Sequence, residues 1–167
     1  MNELASDLAT KLSELQVDYQ HFTHAAVFST ADVALLPEKL PGIDTKNLFL
    51  RDEKRTRYIL VCVRAETRVD LKSLGRLLGM KGITFASPDD MLKMLALTPG
   101  SVCLFGLMND VARRVEGFLD GSIAPEETMQ NHPLVNTATI TLKVSDMERF
   151  CASVGHPLSR ITIPARA

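Results

Sequence analysis

The sequence contains no tryptophan and only two tyrosines among its 167 residues, so its core must be packed from aliphatic side chains. It has three cysteines, Cys62, Cys103 and Cys151. They are far apart, lie in apolar surroundings and form no C-x-x-C pair. This excludes a disulfide scaffold and the usual zinc spacing, and predicts buried free thiols in a reducing compartment. No apolar run approaches the length of a bilayer span, which argues against an integral membrane protein. Positive charge is not in excess: 19 basic residues face 20 acidic ones, for a net charge of -1. Coating a duplex depends on neutralising many phosphates, so that role is disfavoured, although a local basic patch can still hold one nucleic-acid end. There is no phosphate-cradling glycine loop, since Gly75 and Gly79 flank a leucine-rich helix at the wrong spacing. There is no G-x-S-x-G nucleophile elbow. On a strand, His21 and His24 point to opposite faces, so they make a poor metal pair, and the histidines read as surface or capping residues. No repeat, low-complexity tract or Gly/Ser linker divides the chain, which predicts one domain over residues 1–167.

What is present is a mixture of helical and strand patterns. Leu4, Leu8, Leu12 and Leu15 recur at helical spacing, so the N-terminal stretch reads as an amphipathic helix rather than a secretory signal. Val17 to Phe22 alternates weakly and predicts a strand. Thr30-Ala31-Asp32 opens a short helix limited by Pro37, and Pro41-Gly42 marks a turn. Lys46 to Leu50 reads as a strand, the charged run Arg51 to Arg55 as a hairpin loop, and Tyr58 to Val63 as a strand buried on both faces. Asp70 caps a helix through Leu71, Leu74, Leu77 and Leu78 that Gly79 closes. Ser87-Pro88-Asp89-Asp90 starts another helix, which Thr98-Pro99-Gly100 breaks. Ser101 to Met108 reads as a loop entering a buried strand, and Val115 to Leu119 as a strand followed by a turn at Asp120-Gly121. Thr137 to Val144 alternates, with Ala138, Ile140, Leu142 and Val144 on one face. Ser145-x-x-Glu148 reads as a capping box for a last helix ending at Gly155, and the tail from His156 is predicted to dock as an extended piece. The expected fold is α/β: a single-domain mixed β-sheet with packed helices.

Three places carry candidate chemistry. Lys46 directly precedes an apolar strand, where a rigid backbone would hold a compact cation at a pocket mouth, suited to a phosphate or a ribose-linked ester. Asn47 beside it both donates and accepts hydrogen bonds. The loop Thr98 to Val102 can turn successive backbone N–H groups toward an anion or a polarised carbonyl. His132, before Pro133 in Asn131 to Asn136, is biased to an extended conformation. Each has a plain structural alternative: a solvated strand-end lysine, a helix stop and a polar loop. Arg51, Lys54, Arg55 and Arg57 surround the first strand, and Arg64, Arg68, Lys72 and Arg76 form a second basic run with Lys72 and Arg76 on one helix face.

Taken in order, Lys46-Asn-Leu-Phe-Leu-Arg-Asp52 with the strand Tyr58 to Val63, then Leu97-Thr-Pro-Gly-Ser-Val102 with Phe105 to Asp110, then Asn131 to Thr139, resemble the prolyl-tRNA editing family. That family comprises the YbaK-like proteins and the editing insertion of bacterial prolyl-tRNA synthetases. The third motif is similar to the free-standing alanine-specific branch, called ProXp-ala or PrdX. The resemblance runs from about the first helix to Ile163 and implies one α/β editing domain. It also implies hydrolysis of the ester joining a wrong amino acid to the tRNA 3′ end, without metal or organic cofactor. By the same resemblance, Lys46 orients the terminal adenosine and its phosphate, and Asn47 and His132 position the substrate. Backbone amides of Gly100, Ser101, Val102 and Cys103 hold the aminoacyl carbonyl or ribose. Water attacks, helped by the substrate's own ribose hydroxyl.

Val27, Phe28, Val33 and Phe49 are the expected walls of a sieve that admits alanine, and Arg51, Lys54, Arg55 and Arg57 the expected tRNA contacts. The implied partners are aminoacylated tRNA and prolyl-tRNA synthetase. The implied setting is a cytoplasmic monomer or weak homodimer, with no membrane. The family loop reads glycine, three residues, then proline; here Leu104 stands in place of the proline. Selectivity is therefore open between alanine and cysteinyl, seryl or threonyl esters. Cys103 reads as a space-filler rather than a nucleophile, since no base adjoins it. A non-catalytic tRNA-binding module and a DNA-binding regulator are the rival classes. The retained Lys46, Asn47 and His132 argue against the first, and the missing helix-turn-helix against the second.

Overall fold

A computed structural model of the chain describes residues 4–29, 31–32, 35–36 and 39–167. Helix α1 is Ser6–Glu14, β1 Tyr19–Thr23, β2 Thr45–Arg51, β3 Tyr58–Arg64, α2 Leu71–Leu78, β4 Thr84–Phe85 and α3 Pro88–Leu95. A 3₁₀ helix, Leu104–Asn109, precedes β5 Val115–Asp120, β6 Thr128–Asn131, β7 Ala138–Lys143, α4 Val144–Ser153 and β8 Ser159–Ile161. The expected α/β class holds, but the strands form two sheets instead of one. Three antiparallel strands run in the order β1-β7-β6, and five in the order β4-β2-β3-β5-β8. The larger sheet is mixed, with β2 antiparallel to β3, and β5 parallel to both β3 and β8.

Strand β3 explains the layering. Tyr58, Leu60 and Cys62 face one core, shared with α1, α4 and the smaller sheet, while Ile59, Val61 and Val63 face a second core containing Leu74 of α2. Successive residues point to opposite faces, so a fully apolar strand requires cover on both sides. The edges of the two sheets are tied together by backbone. The Ile43 N–H donates to the Thr128 carbonyl at 2.8 Å and the Gln130 N–H donates to the Ile43 carbonyl at 3.0 Å. The Thr45 hydroxyl adds a bond to the Gln130 carbonyl at 3.0 Å. The segment entering β2 is thus held against β6.

Local signals account for most boundaries. Asp70 accepts from the Ser73 N–H at 3.2 Å, and Ser87 with Asp90 forms a reciprocal capping box. Helix α3 stops before the expected breaker, because Ala96 already adopts a left-handed conformation (φ 54°). Ala31 and Asp32 are helical, whereas Thr30 and Pro37 lie outside the described residues.

Four expectations are corrected. Ser101 to Met108 does not lead straight into a strand: the 3₁₀ helix intervenes, pinned by Phe105 packed edge-on to Phe150 of α4 at 5.0 Å and by Asn109 donating to the Leu95 carbonyl at 2.8 Å. Ser145 and Glu148 form no capping box. Helix α4 starts at Val144, and its first amides are satisfied by the loop between β5 and β6, the Val144 N–H donating to the Glu127 carbonyl and the Ser145 N–H to the Pro125 carbonyl, both at 2.9 Å. Glu148 pairs instead with Arg160. Asn131 ends a strand, not a loop: β6 carries only one apolar residue and is stabilised by its pairing with β7. Finally, His156 is buried, not a surface residue, with its Nε2 3.0 Å from Asp110. Replacing the Asp70 cap with alanine should cost about 1 kcal/mol, read as a lowered urea midpoint at unchanged slope.

Candidate functional site

Where β2 leaves its junction with β6, a cavity of about 180 Å³ opens between the two sheets, lined by Phe28, Ser29, Asp44, Thr45, Lys46, Asn47, Gly100, Val102, Gln130, Asn131, His132 and Thr139. Three segments distant in sequence meet there. The entry to β2 brings Lys46 and Asn47. The loop after α3 brings Gly100 and Val102. The end of β6 brings Asn131 and His132. A fourth segment, residues 27–29, is strapped across: the Val27 N–H donates to the Asn136 carbonyl at 3.1 Å, and Asn136 Nδ2 donates back to the Val27 carbonyl at 3.0 Å. The Phe28 N–H donates to Asp32, and Ser29 Oγ accepts from the Asp32 N–H.

Gly100 is required twice over. Its φ is +92°, and a Cβ placed there would meet the Phe28 ring at 3.0 Å and Asn136 Nδ2 at 3.4 Å. The glycine lets the loop pass directly under the strap.

His132 has a defined chemical state. Its Nδ1 lies 3.2 Å from the Ala138 carbonyl, which can only accept, so Nδ1 carries the proton and Nε2 keeps a lone pair. Burial, foremost, and the nearby His24 push its pKa below the ordinary value, against the opposing effect of that carbonyl. The ring is neutral at pH 7 and can accept a proton. His24 bridges the Ala25 carbonyl and the Thr139 hydroxyl, each at 2.8 Å, and so braces the cavity wall. Burial, with Glu66 adding to it and the Thr45 amide opposing it, raises the Asp44 carboxyl above its usual range.

The other expected site residues are placed differently. Ser101 is buried; its hydroxyl donates back to the Thr98 carbonyl at 2.7 Å, and its N–H donates to the same carbonyl at 3.1 Å. That amide is spent on the turn and does not point into the cavity. Cys103 is fully buried and desolvation pushes its thiol up to about 11, which suits the space-filling reading. Phe49 is a core residue, stacked near Tyr58 at 5.9 Å, and is not a wall of the cavity. Val27 is also buried and shapes the strap from beneath, while Val33 lies outside the described residues. The basic residues do not rim Lys46. They sit at the far end of β2, roughly 17 Å along the strand at 3.4 Å per residue. There, Asp52 organises the hairpin by accepting from Thr56 and Arg57, and the Arg57 guanidinium is paired with Glu116 at 2.6 Å. Lys54 and Arg55 remain exposed at the tip. Close by, Lys81 takes the Glu53 N–H on its carbonyl, and a second, open cleft is lined by Lys72, Arg76, Lys81 and Arg166. From the sequence, Asn131 was named only as part of its motif, and Asp44, Gln130 and Thr139 were not singled out.

Residues 24–150 match the model of the aminoacyl-tRNA editing domain. The chain belongs to that family. It is 32% identical over 153 residues to the prolyl-tRNA editing protein ProX of Acetoanaerobium sticklandii, covering 92% of this chain and 93% of that protein. It is 31% identical over 156 residues to the prolyl-tRNA synthetase associated domain-containing protein 1 of Danio rerio, covering 92% and 84%. In fold, this editing domain is similar to the crystal structure of a candidate trans-editing enzyme for prolyl tRNA synthetase, with a TM-score of 0.63 at 18% identity over 96% of this chain and 99% of that one. Among the described residues of the editing domain, no group of three or more His, Cys, Asp or Glu is arranged to hold a metal, and no helix is long and apolar enough to cross a membrane.

Two predictions follow from this geometry. Gly100→Ala should displace Phe28 and cost roughly 1–2 kcal/mol through its left-handed backbone, read as a lowered Tm together with altered Phe28 resonances in NMR. For His132, the lowered pKa means that the unfolded chain takes up its proton first. Stability contributed by the neutral ring is therefore complete above the ordinary value of 6.5 and declines as pH falls below it toward the folded-state pKa. His132→Gln should flatten the fall in Tm across that window; an unchanged slope would show that the ring does not titrate differently on folding.

Proposed function

We propose that the chain is a trans-editing hydrolase that removes a small amino acid, alanine foremost, from mischarged tRNA for proline. The observation that carries this reading is the convergence of Lys46, Asn47 and a neutral His132 on one small cavity in a member of the editing-domain family. Lys46 supplies a fixed positive charge for the terminal phosphate or the ribose. Water adds to the ester carbonyl carbon, and the developing oxyanion is stabilised by the charge and dipoles already in place. The carbon–oxygen ester bond breaks, and the ribose oxygen takes the proton, leaving free amino acid and intact tRNA. His132 Nε2 is the acceptor that orders the water or the ribose hydroxyl.

Size supports the choice of a small amino acid. The strap at Phe28 and the Val102 side chain confine the cavity, and a synthetase site built for proline discriminates poorly against something smaller. A second, narrower compartment corrects that error. Lys54 and Arg55 at the hairpin tip, with the basic cleft beyond, offer positive charge about one strand length away, where the acceptor stem leading from the bound 3′ end would run. Leu104 in place of a loop proline keeps cysteine, serine and threonine in view as competing substrates.

The test is deacylation of a panel: alanine, cysteine, serine and proline on tRNA for proline, and alanine on its own tRNA. Selective loss of alanine from the proline tRNA is expected. Lys46→Ala should slow it by at least about a hundredfold at an unchanged Tm, and His132→Ala should slow it less. Near-wild-type turnover by a folded Lys46→Ala protein sinks the role of Lys46. Retained tRNA binding without hydrolysis of any panel member favours a non-catalytic binding module.

A further inference from the structure

Among the described residues, the buried side-chain nitrogen and oxygen atoms without a hydrogen-bond partner are Asn47 Oδ1, Arg51 Nε, Asn131 Oδ1 and Asn131 Nδ2. Three of these four belong to two asparagines of the same cavity. Asn131 is only 4% exposed. The strand registers aim both carboxamides into one space. Asn131 shares a face of β6 with Met129, Asn47 shares a face of β2 with Phe49, and Met129 and Phe49 lie in one core. A buried amide left without partners is destabilising, whereas a leucine of similar shape would not be. The pair therefore has the character of a polar subsite waiting for a ligand.

The chemistry of that ligand follows from the atoms. Two of the three orphans are oxygens, and Asp44 adds a carboxylate to the same cavity. With the Lys46 ammonium assigned to the phosphate or ribose in the reading above, the remaining acceptors and the Asp44 carboxylate suit a group with several donors and a positive charge. On an aminoacyl ester, only the α-ammonium has both.

We propose that Asn131, with Asn47, forms the subsite for the free α-ammonium of the esterified amino acid; this rests on the aminoacyl-ester reading above. The site would then accept esters of free amino acids and refuse esters whose amine is acylated, peptidyl esters included, because an amide nitrogen has lost the charge and two of the donors.

Binding tests this without requiring turnover. Two probes are titrated calorimetrically: adenosine carrying alanine through a 3′-amide, and adenosine carrying propionate through the same linkage, which lacks only the amine. The wild-type protein should bind the first at least about tenfold tighter. Asn131→Leu should bind both alike, with a Tm at or above wild type because a partnerless amide has been removed from the interior. Equal binding of the two probes by the wild type, binding of neither at millimolar concentration, or an undiminished preference in Asn131→Leu would overturn the proposal. Should Asn131→Leu fail to fold, Asn131→Asp, which adds charge, should strengthen the preference for the amine, and an unchanged or weaker preference would equally overturn it. Deacylation of alanyl-tRNA is measured alongside. Hydrolysis without amine preference removes the subsite alone, and amine preference without hydrolysis removes the hydrolase reading alone.

Discussion

The burial of β3 on both faces is the constraint on which the rest depends. A strand reading Tyr-Ile-Leu-Val-Cys-Val has no face to give to water, so one side must be covered by α2 and the other by α1, α4 and the smaller sheet. Pairing with β3 then fixes β2, placing Lys46 opposite Val63 and Asn47 opposite Cys62. A slip of one residue would exchange the faces of β2, turning Asn47 out of the gap between the sheets and exposing Phe49. The position of the cavity's polar residues is thus set by hydrophobic register, not by interactions among themselves.

The cavity exists because two sheets meet edge to segment rather than merging. The bonds joining Ile43 and Thr45 to β6 stop where Lys46 begins, and the chain on the other side turns away after Asn131. The gap left between them is closed by a strap held on Asn136 and by a glycine with no side chain to obstruct it. Strands β2, β6 and β7 supply Thr45, Lys46, Asn47, Gln130, Asn131 and Thr139 to the walls, and non-strand segments supply Phe28, Ser29, Asp44, Gly100, Val102 and His132. Preorganisation of this kind favours catalysis by orientation and fixed charge over catalysis by a covalent nucleophile. The cysteines fit that division: burial pushes Cys62 up to about 12 and Cys103 to about 11, so both serve as packing.

Polar groups are handled differently inside and outside the cavity. Elsewhere among the described residues, buried side-chain polarity is matched except at Arg51 Nε: Asp110 accepts from the Val115 N–H at 2.7 Å and faces His156, and Asp120 accepts from the Ser122 hydroxyl at 2.8 Å. In the cavity, Asn47 and Asn131 are left with open valences, and Asp44 is desolvated. Local departures from polar satisfaction at the expense of stability are what a binding site requires, since a fully satisfied pocket would have nothing to offer a ligand.

The sequence by itself determined the local structure. The apolar run of β3, the Asp70 and Ser87 caps, the alternation of β7 and the aliphatic spacing of α1 act through neighbouring residues, and each was legible from them. It also marked Lys46, Asn47, Gly100 and His132, because unusual residue types stood at the ends of readable elements. Other features depended on contacts between segments far apart in the chain. These include the split into two sheets, the 3₁₀ helix built on Phe150, the start of α4 fed by loop carbonyls, and strand β6 with its single apolar residue. Only the tertiary structure decided that Ser101 turns back on its own loop, that Phe49 belongs to the core, and that the basic hairpin lies a strand's length from Lys46. It alone placed Asn131 and Asn47 on the same cavity. The physical reason is common to all of these: propensity and capping are settled within a few residues, whereas register, burial and the meeting of sheet edges are settled only when the whole apolar surface is covered.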